Sequence, residues 1–251
     1  MKRFQTAIIV GASSGMGAEL ARQLAAQGCR VALVARRAGD LQALADEIDG
    51  AYPAELPRAL FFPHDVRCPE EVPALFQQIC RELGGLDLIF YAAGVMPRIT
   101  AEEYSIEKDR AMIDVNITGA VAWLNEAAHR FHVAKSGTIV GIGSVAGDRG
   151  RSGQPVYGAT KAFLETYLES LRNRLGRFGV SVVTVKPGPV ETPMTVGLGK
   201  MPLMIPAPEA ARQILQAAAQ GKRVVYVPWQ WRFIMAVIRA IPSPLFQKTN
   251  I

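Results

Sequence analysis

"VGASSGMGAEL", residues 10–20, decides how the rest of the chain is read. It follows the apolar run "TAIIV" (6–10) and passes directly into a helical pattern from Gly17 to Gln27. Gly11, Gly15 and Gly17 give the spacing G-x-x-x-G-x-G, which differs from the more widespread dinucleotide spacing G-x-G-x-x-G. The physical logic is shared. Glycine lets the backbone turn sharply and come close to a pyrophosphate, and a helix N-terminus offers free N–H groups at the positive end of its dipole. A plain strand-to-helix turn would also use flexible residues. The place of this turn, directly after an apolar first strand, favours nucleotide binding.

Outward from the turn, short apolar runs alternate with helical patterns. The further strand candidates are "RVALVA" (30–35), "ALFFP" (59–63), "LDLIFYA" (86–92), "GTIVGIG" (137–143), "VSVVTVKP" (180–187) and "RVVYVP" (223–228). Helices fit between them, including one from Tyr157 to Phe178. Near-continuous apolar strands separated by helices predict an α/β fold, a doubly wound seven-stranded parallel sheet covered on both faces. One domain over residues 1–228 accounts for this pattern, with 229–251 as an amphipathic, apolar extension of it.

Composition sets the limits. The chain has 251 residues, 49% of them apolar and 20% charged, which suits a folded domain with a sizeable core. Cys29, Cys68 and Cys80 form no CxxC pair, which points to a reducing, cytoplasmic setting and no metal cluster. The start resembles a signal peptide superficially, but its apolar stretch is short and runs into the glycine turn. The net charge of +6 is uneven: beyond Glu209 there is no acid, only Arg212, Lys222, Arg223, Arg232, Arg239 and Lys248. A membrane surface or an anionic substrate fits such a tail. Nucleic acid is disfavoured, because no nucleic-acid motif accompanies the charge.

The end of the second strand bears on cofactor choice. An NAD site places an acid there for the ribose 2′-hydroxyl. This strand ends "ALVARRAGD", with Arg36 and Arg37 in that place, which favours NADP (NADPH) over NAD. Arg36 is the candidate for the 2′-phosphate, and Arg37 either stacks near the adenine or faces solvent. Asp40 comes too late for the ribose and suits a helix cap. Asp65, in "PHDV", either accepts a hydrogen bond from the adenine amine or serves a local turn.

"PVYGATKAF" (155–163) sets Tyr157 and Lys161 four residues apart, one helical turn on one face. Ser144 ends the fifth strand and Asn116 lies upstream in "DVNITGA". Ligands of open parallel sheets sit beyond the carboxyl ends of the strands, so Ser144 and the start of the Tyr157 helix should face a nicotinamide. Reducing a ketone takes a hydride on carbon and a proton on oxygen. A free tyrosine, with pKa about 10, is a poor acid–base group at neutral pH. A nearby ammonium and an oxidised nicotinamide would bring it toward the working range, and a serine hydroxyl can hold the carbonyl oxygen. Each residue alone has a bland explanation; their joint arrival in order after the turn carries the expectation.

Over nearly its full length the chain resembles the short-chain dehydrogenases/reductases, through "GASSGMG", "DVNITGA", "GSVAG", "YGATK" and "KPGPVETPM". The resemblance implies a Rossmann fold and an oxidoreductase in which Tyr157 is the general acid–base. Lys161 would grip the cofactor ribose and lower the tyrosine pKa, Ser144 would position the carbonyl, and Asn116 would hold a water in a proton relay to Lys161. It further implies cofactor contacts at Ser13, Ser14, Met16, Val66, Ala93 and Gly94, and a nicotinamide side lined by Pro187, Gly188, Val190 and Thr192. It also implies a homodimer or homotetramer paired through helices over 101–134 and 155–178. Two departures stand out: Val10 replaces a threonine before the first glycine, and Tyr91 and Ala92 replace two asparagines after the fourth strand. Their loss should alter cofactor affinity or local packing.

The substrate end is less defined. "PMTVGLGKMPLMIPAPEA" (193–210) suits an apolar cover over substrate. "VPWQWRFIMAVIRAIPSPLF" (227–246) is too short to span a bilayer; it suits either a helix lying in a membrane interface or one packed on the body. More loosely, this tail and "SVAGDRGRSGQPVYGATK" resemble a subgroup that reduces a 2-keto sugar on a polyprenyl phosphate. There Arg149 and Arg151 would meet the phosphate or remain solvated. A soluble reductase of a small ketone, 3-oxoacyl group or steroid is the alternative, and a non-catalytic NADP-binding regulatory protein is a third reading.

Overall fold

A computed structural model describes every residue except Met1, Ala101, Leu198, Lys200, Asn250 and Ile251. In chain order the main elements are β1 (Thr6–Val10), α1 (Gly15–Ala26), β2 (Arg30–Ala35), α2 (Ala38–Ala51), β3 (Ala59–Pro63), α3 (Val72–Leu83), β4 (Leu88–Tyr91), α4 (Ile106–Ile113), α5 (Gly119–Ala134), β5 (Gly137–Ile142), α6 (Pro155–Leu175), β6 (Val180–Pro187), β7 (Val190–Glu191), β8 (Ile205–Pro206), α7 (Ala207–Ala219), β9 (Val224–Val227), α8 (Trp231–Ala240) and α9 (Ser243–Phe246).

The parallel sheet has seven strands in the order β3-β2-β1-β4-β5-β6-β9. Strand pleating explains why its strands read as unbroken apolar runs: neighbouring residues point to opposite faces, and both faces are covered. Ala7 and Ile9 of β1, with Val31 and Leu33 of β2, enter one core with α1, α2 and α7. Ile8 and Val10, with Ala32 and Val34, enter the other with α3, α5 and α6. Each fully buried isoleucine or leucine contributes roughly 1.5–3 kcal/mol by leaving water.

From β1 the chain winds out to β3, then crosses back to place β4 beside β1. That reversal is the switch point of a doubly wound sheet, where a crevice opens beyond the strand ends. Register fixes its two lips: Val10 pairs with both Val34 and Tyr91, so the glycine turn after β1 stands opposite the ends of β2 and β4.

The helix expected over 101–134 is interrupted, and its first residue lies outside the described residues. Between α4 and α5, Asp114–Thr118 forms one π-turn, with the Gly119 N–H donating to the Asp114 carbonyl. A long-range contact accompanies this step. The fully buried Tyr91 hydroxyl donates to the Val115 carbonyl at 2.5 Å, an inserted side chain of the kind that perturbs a helical ladder. A Cβ on Gly119 would come within 2.7 Å of that hydroxyl, so the tyrosine that departs from the family pattern is matched by a glycine. The catalytic-helix candidate ends as α-helix at Leu175, followed by a 3-10 turn over Gly176–Phe178.

The tail packs on the body through one face of α8. Trp231, Met235 and Ile238 join Val145 in a small core of their own. Trp229, Phe233 and Val237, at spacing four, stay 63%, 62% and 66% exposed, so α8 carries a second apolar stripe. No helix among the described residues is long and apolar enough to cross a membrane.

Candidate active site

The crevice at the switch point is a cleft of about 570 Å³. Its floor is backbone. Gly11 has φ +95°, a left-handed conformation, and a Cβ there would lie 2.5 Å from the Ala93 nitrogen. A Cβ on Gly17 would sit 2.1 Å from the Gly11 carbonyl oxygen, so α1 can begin this close to the turn only with glycine. This cradle is shaped for a group approaching main chain, and the start of α1 presents its N–H groups to it.

Of the residues expected to hold cofactor, Gly11, Ser13, Ser14, Gly15, Met16, Gly17, Arg36, Arg37, Val66, Ala93, Gly94 and Thr192 line the cleft. The two arginines differ. Arg37 pairs with Asp40 at 2.6 Å and donates to the Ser13 hydroxyl at 3.0 Å. Arg36 has no ion pair or side-chain hydrogen bond among the described residues and stands on the cleft wall. Asp40 is therefore no cap: it sits in the first turn of α2 and holds Arg37.

Several expected contacts fall elsewhere. Asp65 is gripped by its near neighbour Arg67 at 2.6 and 2.9 Å, which holds its carboxyl below the usual range, so the local-turn reading describes it. Pro187 and Val190 are buried in pairings with Val227 and Ile205. Gly188 is covered by the Trp231 indole, so close that a Cβ would meet Nε1 at 2.0 Å. None of these four lines the cleft. Residues 193–196 do border it through Pro193, Met194 and Val196, and Arg98 ties the segment to the opposite lip by donating to the Val196 carbonyl at 2.5 Å. Leu198 and Lys200 of the expected cover lie outside the described residues.

Ser144, Tyr157 and Lys161 come together just beyond β5. Lys161 is buried on α6, donates to the Ile142 carbonyl at 2.9 Å, and its Nζ lies 5.7 Å from the centre of the Tyr157 ring. A Cβ on Gly94 would be 3.4 Å from that ammonium, so the amine reaches the cleft wall. Burial brings Lys161 down to about 8, with Glu165 pulling the other way. Burial pushes Tyr157 up to about 12, against the Ser144 hydroxyl, which favours the phenolate. The expected lowering of the tyrosine is therefore reversed in the protein alone, where removal from water outweighs its neighbours.

Asn116 is fully buried, and its side chain is committed. Its amide donates to the Val95 carbonyl at 3.1 Å and to Thr160 Oγ1 at 3.0 Å, and its oxygen accepts from the Val95 N–H at 2.9 Å. It clasps the loop after β4 to α6, so its side chain has no group left for the expected relay water.

Sequence reading missed Glu165, although Tyr157, Lys161 and Glu165 follow at steps of four on one helix face. Its Oε1 accepts from the Ser144 N–H at 3.1 Å, and its Oε2 pairs with Lys186 at 2.8 Å. Lys186 in turn meets Asp148 at 2.5 Å, and Asp148 accepts from Tyr226 at 2.8 Å. Burial raises the Glu165 carboxyl and Lys186 opposes that rise. A buried polar chain thus fixes the backbone of the serine from behind. Arg149 is also claimed: it donates to the Ile238 and Ile241 carbonyls at 2.5 and 2.6 Å, capping α8, and stacks 3.9 Å over Phe246. Its Nη1 is thereby committed to the tail.

Comparison with known proteins agrees with this architecture. Residues 5–202 match the family model described as short chain dehydrogenase. An uncharacterised oxidoreductase of Myxococcus xanthus is 36% identical over 97% of this chain and 95% of its own. A solved short-chain type dehydrogenase/reductase from Mycobacterium marinum superposes with TM-score 0.80 at 28% identity, covering 88% of this chain and 93% of its own. The structure titled "ElxO with NADP Bound" shares the fold at TM-score 0.80 and 20% identity, over 89% of this chain and 97% of its own.

Proposed function

The chain belongs to the short-chain dehydrogenase/reductase family, and on that footing we propose that it is an NADPH-dependent oxidoreductase interconverting a ketone and a secondary alcohol through Ser144, Tyr157 and Lys161. The observation that carries this reading is the meeting of those three side chains beyond β5, Ser144 hydrogen-bonded to Tyr157 and the Lys161 ammonium beside both the Tyr157 ring and Gly94 on the cleft wall. A bound nicotinamide supplies or takes the hydride. Tyr157 gives its proton to the carbonyl oxygen in reduction and takes it back in oxidation, while the Ser144 hydroxyl orients that oxygen. Lys161, pinned to the Ile142 carbonyl, keeps its ammonium beside the phenol and within reach of a ribose. Asn116 ties α6, which carries Tyr157 and Lys161, to the loop after β4. The preference for NADP over NAD rests on Arg36, a cleft-wall cation without a salt bridge among the described residues.

The exposed stripe Trp229–Phe233–Val237, beside Arg232 and Arg239 in an acid-free tail, supports peripheral contact with an anionic membrane and hence a lipid-linked carbonyl substrate. Exposed Val133 and Phe163, on α5 and α6, favour assembly as a homo-oligomer through those helices. The test of function is cofactor oxidation across a carbonyl panel that includes a lipid-linked keto-sugar. Carbonyl-dependent oxidation of NADPH, faster than of NADH, is expected; no acceleration by any carbonyl would count against the reading. Co-sedimentation with anionic vesicles should drop when Trp229, Phe233 and Val237 are changed to serine in the full chain, and equal sedimentation would remove the membrane contact.

A further inference from the structure

We propose that Glu165 is a positioning residue for the reaction: its carboxylate shapes the turn that presents Ser144, and its charge stabilises the Lys161 ammonium. This deepens the proposed function and rests on it. Ser144 stands in a turn whose glycines make room for Glu165. A Cβ on Gly143 would come within 2.6 Å of Glu165 Oε1, and a Cβ on Gly147 within 2.7 Å of the same atom. Main chain closes the other side: those Cβ atoms would also lie 3.0 Å from the Val185 carbonyl oxygen and 2.9 Å from the Ala162 nitrogen. The stretch "GIGSVAG" (141–147) thus bends around a carboxylate supplied by α6. That carboxylate accepts from the Ser144 N–H at 3.1 Å, while the Ser144 hydroxyl accepts from the Ala146 N–H at 3.1 Å. The hydroxyl that orients the substrate oxygen therefore hangs on a turn that Glu165 holds at its first residue.

The groups that govern the charge of Glu165 lie behind the turn. Lys186 of β6 meets Glu165 at 2.8 Å and Asp148 at 2.5 Å, and Tyr226 of β9 donates to Asp148 at 2.8 Å. One ammonium between two carboxylates favours the ionised form of both and leaves a negative charge in excess. A polar pocket of about 250 Å³ opens on this group; Glu169, Arg172 and Thr184 also border it, and it shares no lining residue with the nucleotide cleft. Arg172 directs its donors to the Val182 and Arg223 carbonyls and to Thr184 rather than to Glu165, and Glu169 is exposed. Lys161 stands one helical turn before Glu165 on the same face, and its ammonium bonds to the Ile142 carbonyl. The carboxylate therefore acts on it through space, in a buried setting where charges interact more strongly than in water. Burial disfavours the Lys161 ammonium, and Glu165 opposes that. Burial also holds Tyr157 protonated, against the Ser144 hydroxyl, and Glu165 adds to the burial. An ammonium and a protonated phenol are the forms that carbonyl reduction uses.

The test compares the wild-type full chain with Glu165→Gln and Glu165→Ala in carbonyl-dependent NADPH oxidation across neutral and alkaline pH, with NADPH affinity and melting on the same preparations. Glutamine keeps an oxygen for the Ser144 N–H and removes the charge; alanine removes both. Glu165→Ala should lower kcat by about 10²-fold, the cost of a misplaced reacting group, with NADPH affinity within about twofold of the wild type. Glu165→Gln should recover most of kcat near neutral pH, yet its kcat/KM should begin its alkaline decline at lower pH than the wild type. A purely structural role would not move that limb. Wild-type kcat in a folded Glu165→Ala chain, or a Glu165→Gln profile that declines with the wild type, overturns the proposal. If melting shows Glu165→Ala unfolded, the Glu165→Gln profile decides. A second measurement needs no turnover: the Lys161 Cε resonance in lysine-labelled protein, assigned by its absence in Lys161→Met, is titrated with and without Glu165→Gln. A titration at lower pH in Glu165→Gln is expected, and an unchanged one overturns the proposal. If the wild type reduces no carbonyl, the proposed function fails, and this titration still decides whether Glu165 acts on Lys161.

Discussion

The two ends of the site are built differently. The nucleotide cleft is made by backbone: Gly11 and Gly17 approach neighbouring main chain at distances no side chain permits, leaving about 570 Å³ of space. The proposed catalytic end is made by side chains buried against one another: Lys161 on the Ile142 carbonyl, Glu165 on the Ser144 N–H, and Trp231 on Gly188. A backbone-built region should fail as a fold when altered, and a side-chain-built one should fail as a catalyst.

Lys161→Met should show the sharpest split. Activity should fall by about 10²–10⁴-fold, the range for a positioned acid–base system. The melting temperature should rise, because a buried ammonium without a carboxylate of its own is removed. Parallel loss of both would break the contrast. Gly17→Ala should do the reverse of a clean catalytic defect: overpacking against Gly11 costs about 1–3 kcal/mol or more, and melting temperature and NADPH binding should fall together. Arg36→Ala should weaken NADPH about 10–100-fold, the worth of a charge-assisted hydrogen bond, and leave NADH nearly unchanged in calorimetry. Equal weakening of both cofactors would detach Arg36 from the 2′-phosphate.

The smallest effect is in pH. Burial lowers Lys161 from 10.5 to about 8, so reductive kcat/KM should decline above about pH 8 as the ammonium is lost. In stability the sign is opposite. The folded chain holds that proton less well than the unfolded chain, so the Lys161 contribution rises with pH between about 8 and 10.5. Tyr157, raised from 10.0 to about 12, loses stability with pH across that higher window. A reductive profile flat to pH 10 would remove Lys161 from the rate.

The same contrast explains what the sequence disclosed. Strands such as "TAIIV" and "GTIVGI" were legible because burial on both faces demands unbroken apolar runs, and the glycine turn because only glycine meets its contacts. The family motifs brought Ser144, Tyr157 and Lys161 into view, and these residues do meet in the fold. The π-turn at 114–118 was not legible as such: it is accompanied by a hydroxyl on Tyr91, on another element. Nor were the burial of Gly188 under Trp231, the capture of Asp65 by Arg67 or the capping by Arg149, each a matter of tertiary packing. Glu165 was within reach, since it continues the spacing of Tyr157 and Lys161.

Tyr157→Phe, assayed for carbonyl-dependent NADPH oxidation and for NADPH affinity on one preparation, bears most directly on the proposed chemistry. Removing the phenol proton should cut turnover by about 10²–10⁴-fold while NADPH affinity stays within about twofold of the wild type. Turnover matching the wild type, with the cofactor bound as tightly, would contradict the role given to Tyr157.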